Sequence, residues 1–498
     1  MTQFFNARET IVTEAVDALV ALSGGALARL DGYPHVRVVV RADRDPSRVA
    51  LVSGGGAGHE PAHAGFVGPG MLTAAVCGDV FASPSVDAAL AGILAVTGKP
   101  GCLLIVKNYT GDRLNFGLAA ERARALGVRV EMVVVDDDIA QLDLPQARGL
   151  AGTLFVHKIA GAMAEDGADL ETIAHAARRI VAATRTLGMS LDTCTVPFSP
   201  KEARIPRGKA ELGLGIHGEA GVEQVDFTDA KAAIDMVARR LAPAMAPGAP
   251  HVAILNNLGG SSALEMAVLA RELTRSEIGP RLGHVVGPAA MMTSLDMRGF
   301  SVSVFPAGEA DLAALAAPTP LAAWPGLSRL GGVATLPLPA GLAPVRAAPS
   351  DDAATRALLM RACEALVAAE ADLNALDARS GDGDTGSTLA SGARALAAAM
   401  DRLLADPAAL CRAIGQELGQ TVGGSSGVLL AILFSAAGDA AAAGRALPEA
   451  LAAGLARMQE VGGARPGDRT MVDALAPALA RLGEGLPAAA AAAREAAD

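Results

Sequence analysis

Aromatic side chains are scarce in this 498-residue chain: they make up 3% of it, with one tryptophan and two tyrosines. Its cores must therefore be built from aliphatic and alanine side chains. Cysteine is also sparse, and the five thiols at positions 77, 102, 194, 363 and 411 show no Cys-x-x-Cys spacing. That excludes a legible disulfide frame or zinc site and leaves reduced, buried thiols. Positive charge is in deficit. A net charge of −11 argues against nucleic acid as a partner, because neutralising phosphates needs a basic surface. No unbroken run of about 18 apolar residues reads as a membrane span, so no membrane partner is expected. The opening "MTQFFNARETIV" has no basic stretch leading into a long apolar one. No signal peptide is expected, and the cytoplasm is the expected compartment.

What is present is apolar mass. Hydrophobic residues make up 51% and charged residues 19%, and the length exceeds one ordinary core, so two or three domains are expected. Through the first two-thirds, β-branched runs ending in Gly or Asp alternate with helical patterns. The runs are "HVRVVVRA" (35–42), "VALVSGGG" (49–56), "CLLIVKNYTGD" (102–112) and "VRVEMVVVDDD" (128–138). "HVAILNNLGGSS" (251–262) and "FSVSVFPAG" (300–308) continue the series. Such alternation predicts a mostly parallel α/β sheet, in two lobes or one large one. Residues 1–335 are expected to form this α/β domain and 336–352, rich in Pro, Gly and Ala, a linker. Beyond it the pattern changes to successive helices of three to five turns with short connections. These predict an all-α antiparallel bundle over 353–498.

Chemistry could sit in four places. "SGGGAGHEPAHAGFVGPGM" (53–71) follows a strand, and its glycines let backbone amides approach a small polar ligand. The embedded "HEPAH" matches the His-Glu-x-x-His zinc pattern, but Pro61 and flanking glycines are poor company for the helix that pattern needs. "KNYTGDRLNF" (107–116) places Lys107 and Asp112 at the carboxyl end of a strand, the ligand edge of an open α/β sheet; a helix cap is the plainer role for Asp112. "LGLGIHGEAG" (212–221) brackets His217 between glycines, sterically open to attack an electrophilic carbonyl, although a lone histidine is often structural. "LDARSGDGDTGST" (376–388) crowds Asp377, Asp382 and Asp384 into one glycine loop, which suits Mg²⁺ shared with substrate phosphates or a solvated turn. Downstream, "TVGGSSG" (421–427) and "GARPGDRT" (463–470) offer amides, hydroxyls and Arg469 to a nucleotide's phosphates.

In this order, the segments resemble the dihydroxyacetone kinase family in its single-chain, ATP-using form, over nearly the whole chain. The resemblance implies a multidomain α/β plus all-α protein. A two-lobed α/β substrate domain would be followed by an antiparallel helical barrel that binds Mg²⁺-ATP. It implies ATP-dependent phosphorylation of dihydroxyacetone, with His217 forming a covalent hemiaminal and His59 and Asp112 as the acid/base pair. Gly56, Ala57, Gly58, His59, Lys107 and Asp112 would bind the ketose. Asp377, Asp382 and Asp384 would hold Mg²⁺. Asp384, Thr385, Gly386, Ser387, Ser425, Ser426, Gly467, Asp468 and Arg469 would meet the nucleotide. A homodimer is expected on the same ground. The family's helical domain continues into a further helix and a glycine-containing tail with no counterpart before Asp498, so a C-terminally shortened domain is expected. The alternatives are a kinase for a four-carbon ketose such as erythrulose, and a ketose-binding or regulatory protein whose shortened nucleotide domain is inactive.

Overall fold

The computed structural model describes residues 3–140, 147–339, 349, 352–379, 381–403 and 406–497. The chain divides into two compact units, Met1–Val333 and Ala334–Asp498. Of the expected linker, 340–348, 350 and 351 lie outside the described residues.

In the first unit, a six-stranded sheet runs in the order Leu27–Arg29, Val38–Arg41, Ala74–Val80, Ala50–Ala57, Cys102–Lys107, Val130–Val135. Its inner pairings, from Ala74–Val80 through Val130–Val135, are parallel. The Ala50–Ala57 and Cys102–Lys107 strands are buried along their whole length. That matches their continuous apolar composition, because a central strand covered on both faces cannot alternate. The helices Val86–Val96 and Thr110–Ala125 cover one face through Ile93, Phe116 and Ala119. On the other face lies Thr153–Glu165, buried at every residue from Thr153 to Ala162. A helix apolar all round needs cover all round. Phe155 on it meets Phe305 of a second sheet, ring centroids 5.5 Å apart, so one core runs from sheet to sheet. Asp137 ties the same layers together: its carboxylate accepts the Leu150 N–H (2.6 Å), the Gly152 N–H (2.8 Å) and the Thr186 hydroxyl.

That second, seven-stranded sheet runs Leu327–Arg329, Leu282–Ala289, His251–Asn257, Gly299–Pro306, Arg185–Ser190, Lys209–Leu212, Glu223–Asp226. Here the expectation of a mostly parallel sheet fails. Only His251–Asn257 and Leu282–Ala289 pair in parallel. The reason is connectivity: a parallel return needs a crossover, and the helix Ala263–Arg275 supplies one for that pair alone. Ser262 and Glu265 start this helix with a reciprocal capping box. At the opposite edge, Lys209–Leu212 and Glu223–Asp226 pair antiparallel, and the connection between them carries His217.

The second unit is all-helical. Pro407–Thr421, Gly424–Ala442, Leu447–Gly462, Met471–Ala480 and Leu486–Ala497 each lie against the next in sequence, and Thr385–Ala398 packs on Ala353–Ala368 and Pro407–Thr421. Short connections between consecutive neighbours make such helices antiparallel. Gly424–Ala442 is 19 residues long and apolar enough to cross a membrane by length and composition alone. It is packed between Pro407–Thr421 and Leu447–Gly462, the surroundings of a bundle helix. The five cysteines are free, as the lack of paired spacing predicted; four are buried and Cys77 is half-buried.

Candidate active site

The glycine strand Ala50–Ala57 ends between two polar clusters. On one side of Gly55, which holds φ +151°, a Cβ would stand 3.0 Å from Lys107 Nζ and 3.3 Å from Asp112 Oδ2. Lys107 and Asp112 therefore meet at the same glycine from the end of one strand and the first turn of the helix that follows it. Both are buried, and Asp112 accepts a hydrogen bond from the Ser83 hydroxyl. Burial pushes the Lys107 ammonium down, against the opposing pull of Asp112, Glu219 and Glu60.

Past the strand, Gly58 holds φ +97°, and a Cβ there would stand 2.7 Å from the Phe81 ring. Its carbonyl accepts the Leu295 N–H at 2.8 Å, which brings the second sheet against the glycine loop. Phe81 (φ 59°) and Leu295 (φ 55°) both hold left-handed backbone. Non-glycine residues held there tend to mark functional sites. Ala57 contributes its carbonyl to the Phe81 N–H at 2.9 Å, and Gly56 lies against the Phe81–Ala82 backbone.

His59 is fully buried, with Nδ1 2.8 Å from the Thr293 carbonyl. A carbonyl only accepts, so the proton sits on Nδ1 and Nε2 is bare; Nε2 has no partner. Burial first, then the Lys107 charge and the neighbouring His217 ring, hold this imidazole well below the usual histidine range, in the neutral form. His217 faces it edge-on, ring centroids 4.8 Å apart, and is boxed further by Tyr109 (4.3 Å) and Phe81 (5.4 Å).

Glu219 orients His217. Its Oε2 accepts the His217 backbone N–H at 2.8 Å and its Oε1 lies 3.3 Å from Nδ1. With the proton on Nδ1, Nε2 is left as the nucleophilic nitrogen. Burial opposes ionisation of Glu219, but the His217 ring and backbone hydrogen bonds outweigh it and hold the carboxyl at about 2. The lowered value means this anchor is fully present above the ordinary 4.5 and is lost as pH falls toward about 2. Replacing Glu219 with Gln should lower kcat/KM by about 10–100-fold, the usual effect of losing an orienting partner. Equal kcat/KM in variant and parent between pH 5 and 8 would show that the carboxylate does not orient His217.

The zinc pattern in "HEPAH" does not assemble. Residues 58–63 form bends and turns, and His59 and His63 face different partners.

In the second unit, Asp377, Asp382 and Asp384 each offer an oxygen, all within 4.8 Å of one another. Asp377 Oδ2 accepts the Gly383, Asp384 and Thr385 N–H groups at 3.0, 3.1 and 3.3 Å, which curls the loop around it. The neighbouring Asp382 pushes the Asp384 carboxyl up. Exposed hard-oxygen donors that repel one another fit Mg²⁺, which keeps waters and phosphate oxygens among its ligands. Thr385, Gly386 and Ser387 open the helix above this loop, and the Ser387 N–H donates to Asn374 Oδ1 at 3.0 Å. Seven residues along that helix, about 10 Å by helical rise, Gly392 stands against Val422. Val422 belongs to the "TVGGSSG" stretch, in which Ser425 is exposed and Ser426 half-buried in the first turn of Gly424–Ala442. Gly462 stands against Leu429 in turn, and the turn with Gly467, Asp468 and Arg469 follows the helix that Gly462 ends. The Arg465 N–H donates to Asp468 at 2.8 Å, and the Gly467 N–H to Asp473.

Sequence reasoning missed Glu219, Ser83, Tyr109, Phe81 and Thr293. Glu219 had a signal, standing two residues beyond His217 inside the quoted motif. Thr293 had none, since it reaches His59 only through the packing of the two sheets.

Residues 22–323 match the Dak1 domain model and 379–498 the DAK2 domain model. The chain is 46% identical over 484 residues to the dihydroxyacetone kinase of Citrobacter freundii, covering 96% of this chain and 88% of that protein. It is 42% identical over 490 residues to the triokinase/FMN cyclase of Homo sapiens, covering 93% and 84% respectively. Among solved structures, the C. freundii dihydroxyacetone kinase in complex with AMP-PNP and Mg²⁺ superposes with a TM-score of 0.74 at 46% identity, covering 99% of this chain and 94% of that one. With both domain models matched in order and such identity along its length, this chain belongs to the dihydroxyacetone kinase family.

Proposed function

We propose that the protein phosphorylates dihydroxyacetone at the expense of ATP, with Mg²⁺, and that the ketose is held during transfer as a hemiaminal on His217. The observation that carries this reading is the pairing of two imidazoles 4.8 Å apart, each with its Nδ1 committed to an oxygen. The His217 Nε2 lone pair forms the C–N bond, the carbonyl π pair moves onto oxygen, and that oxygen takes up a proton. The Nδ1 proton leaves past Glu219 to solvent as the new oxygen takes one from solvent, so the adduct is neutral and no net proton is consumed. Fixing a small flexible triose in this way can contribute about 7–11 kcal/mol to lowering the barrier. A polyol such as glycerol has no carbonyl to attack and forms no adduct.

Asp112 and the bare Nε2 of His59 are the groups suited to take the proton from the ketose's terminal hydroxyl, typically worth about 10²–10⁴-fold. Lys107, with Gly56, Ala57 and Gly58, holds the remaining oxygens. On the helical unit, Asp377, Asp382 and Asp384 would hold Mg²⁺, while Thr385, Gly386, Ser387, Ser425, Ser426, Gly467, Asp468 and Arg469 offer amides, hydroxyls and a guanidinium to the nucleotide. Bound there, Mg²⁺ would neutralise charge on the phosphate oxygens. In this reading residues 1–335 are the ketose-binding domain and 353–498 the Mg²⁺-ATP domain of a cytoplasmic homodimer, as in the family that the sequence resembles.

Carbon-13 NMR of dihydroxyacetone labelled at its carbonyl tests the adduct. The bound carbon should leave the ketone region for the tetrahedral region, and should stay in the ketone region with His217→Ala. A bound ketone signal in the unmodified chain would overturn the hemiaminal.

A further inference from the structure

The glycine loop carries a second buried histidine that the reaction does not use. His63 lies over Ser53, whose hydroxyl donates its one hydrogen to the Ile105 carbonyl at 2.7 Å. Ser53 Oγ can therefore only accept from His63 Nδ1, 3.4 Å away. His63 Nδ1 also faces His157 Nε2 at 3.0 Å. The Ser53 contact places the proton on Nδ1, so His157 Nε2 accepts, and this leaves His63 Nε2 bare and 3.2 Å from the donor-only Lys107 Nζ. The hydrogen bonds then run in one direction, from Lys107 to His63 to His157.

We propose that His63 is a positioning residue: its bare Nε2 takes one N–H of the buried Lys107 ammonium and fixes that cation under Gly55, beside Asp112. This rests on the reading of Lys107 as a group that holds the ketose. A buried ammonium without its acceptors is costly, so His63 also keeps Lys107 charged. The ionisable groups acting on Lys107 are Asp112 from the helix behind it, Glu219 from the His217 loop and Glu60 from the glycine loop. His59 and His157 complete the surroundings of His63. Burial keeps His63 and His157 neutral, the latter at about 3, so the acceptor does not itself become a cation at working pH.

The test is kcat/KM for dihydroxyacetone against pH, with ATP and Mg²⁺, in the full chain and in His63→Leu, His63→Gln and Lys107→Met. His63→Leu should lower kcat/KM by about 10–100-fold, as loss of an orienting partner does. It should also move the alkaline limb down by about one pH unit or more, because Lys107 loses a stabiliser of its charged form. His63→Gln, whose amide oxygen can accept, should restore both. A merely structural role would lower activity and melting temperature together and leave the alkaline limb in place, which overturns the proposal. Wild-type activity in Lys107→Met would sink the assignment of Lys107 and this proposal with it. An inactive Lys107→Met with an unmoved limb in His63→Leu would sink this proposal alone. If His63→Leu does not fold, nitrogen-15 NMR of labelled histidines in the unmodified chain decides. His63 should be a non-titrating Nδ1–H tautomer between about pH 6 and 9, and an Nε2–H or titrating ring there contradicts it.

Discussion

Replacing His217 with alanine should lower kcat/KM for dihydroxyacetone by about 10⁴-fold, since covalent positioning contributes about 7–11 kcal/mol and truncation forfeits part of it. The loss should be selective. His217 sits in the connection between Lys209–Leu212 and the edge strand Glu223–Asp226, outside the cores of either lobe, so its removal leaves those cores in place. What disappears is the imidazole that Glu219 orients and that Tyr109, Phe81 and His59 wall. Slow residual turnover should persist, because Lys107 and Asp112 still offer hydrogen bonds to the hydroxyls. Adding imidazole should not restore the rate, since a free base lacks the held geometry. A variant within tenfold of the parent would show that the ketose is bound without the covalent bond.

Replacing Asp382 with Asn should act on the other half of the reaction. Three carboxylate oxygens within 4.8 Å repel one another, and Asp382 is the main cause of the raised Asp384 carboxyl. Removing one charge relieves that repulsion, so without Mg²⁺ the variant should melt at the same temperature or slightly higher. With Mg²⁺ and ATP it should lose about 10²–10³-fold in kcat, the usual effect of removing one stabiliser of transition-state charge. The Mg²⁺ concentration for half-maximal rate should rise as well. Opposite signs in stability and activity are what separate a cation site from a structural turn. A destabilised variant with normal Mg²⁺ dependence would make the loop a turn held by Asp377, whose carboxylate already collects three backbone N–H groups.

The inner strands of the first sheet were legible in the sequence, because burial on both faces leaves unbroken apolar runs such as "CLLIVK". The second sheet was not. Glu223–Asp226 is an edge strand of mostly exposed polar residues, and Lys209–Leu212 is only four residues long. Their pairing is set by partners distant in sequence, which periodicity does not report. The same division holds at the site. His217, His59, Lys107 and Asp112 stand in glycine-rich strand-to-loop junctions, where local composition already signals an open backbone. The Thr293 carbonyl that sets the His59 tautomer comes from a residue 234 positions away, and Phe81 reaches His59 only because Gly58 leaves room for its ring. The aspartate loop was legible as three acids among glycines, but not the fact that Asp377 faces inward to its backbone while Asp382 and Asp384 are exposed.

The most direct test is an assay of purified protein with ATP and Mg²⁺, in which dihydroxyacetone or glycerol is supplied and triose phosphate formation and ATP consumption are followed together. The account predicts Mg²⁺-dependent, stoichiometric conversion of dihydroxyacetone, no comparable use of glycerol, and loss of turnover in both His217→Ala and Asp382→Asn. Absence of phosphorylated ketose, or glycerol phosphorylated as readily as dihydroxyacetone, would contradict it.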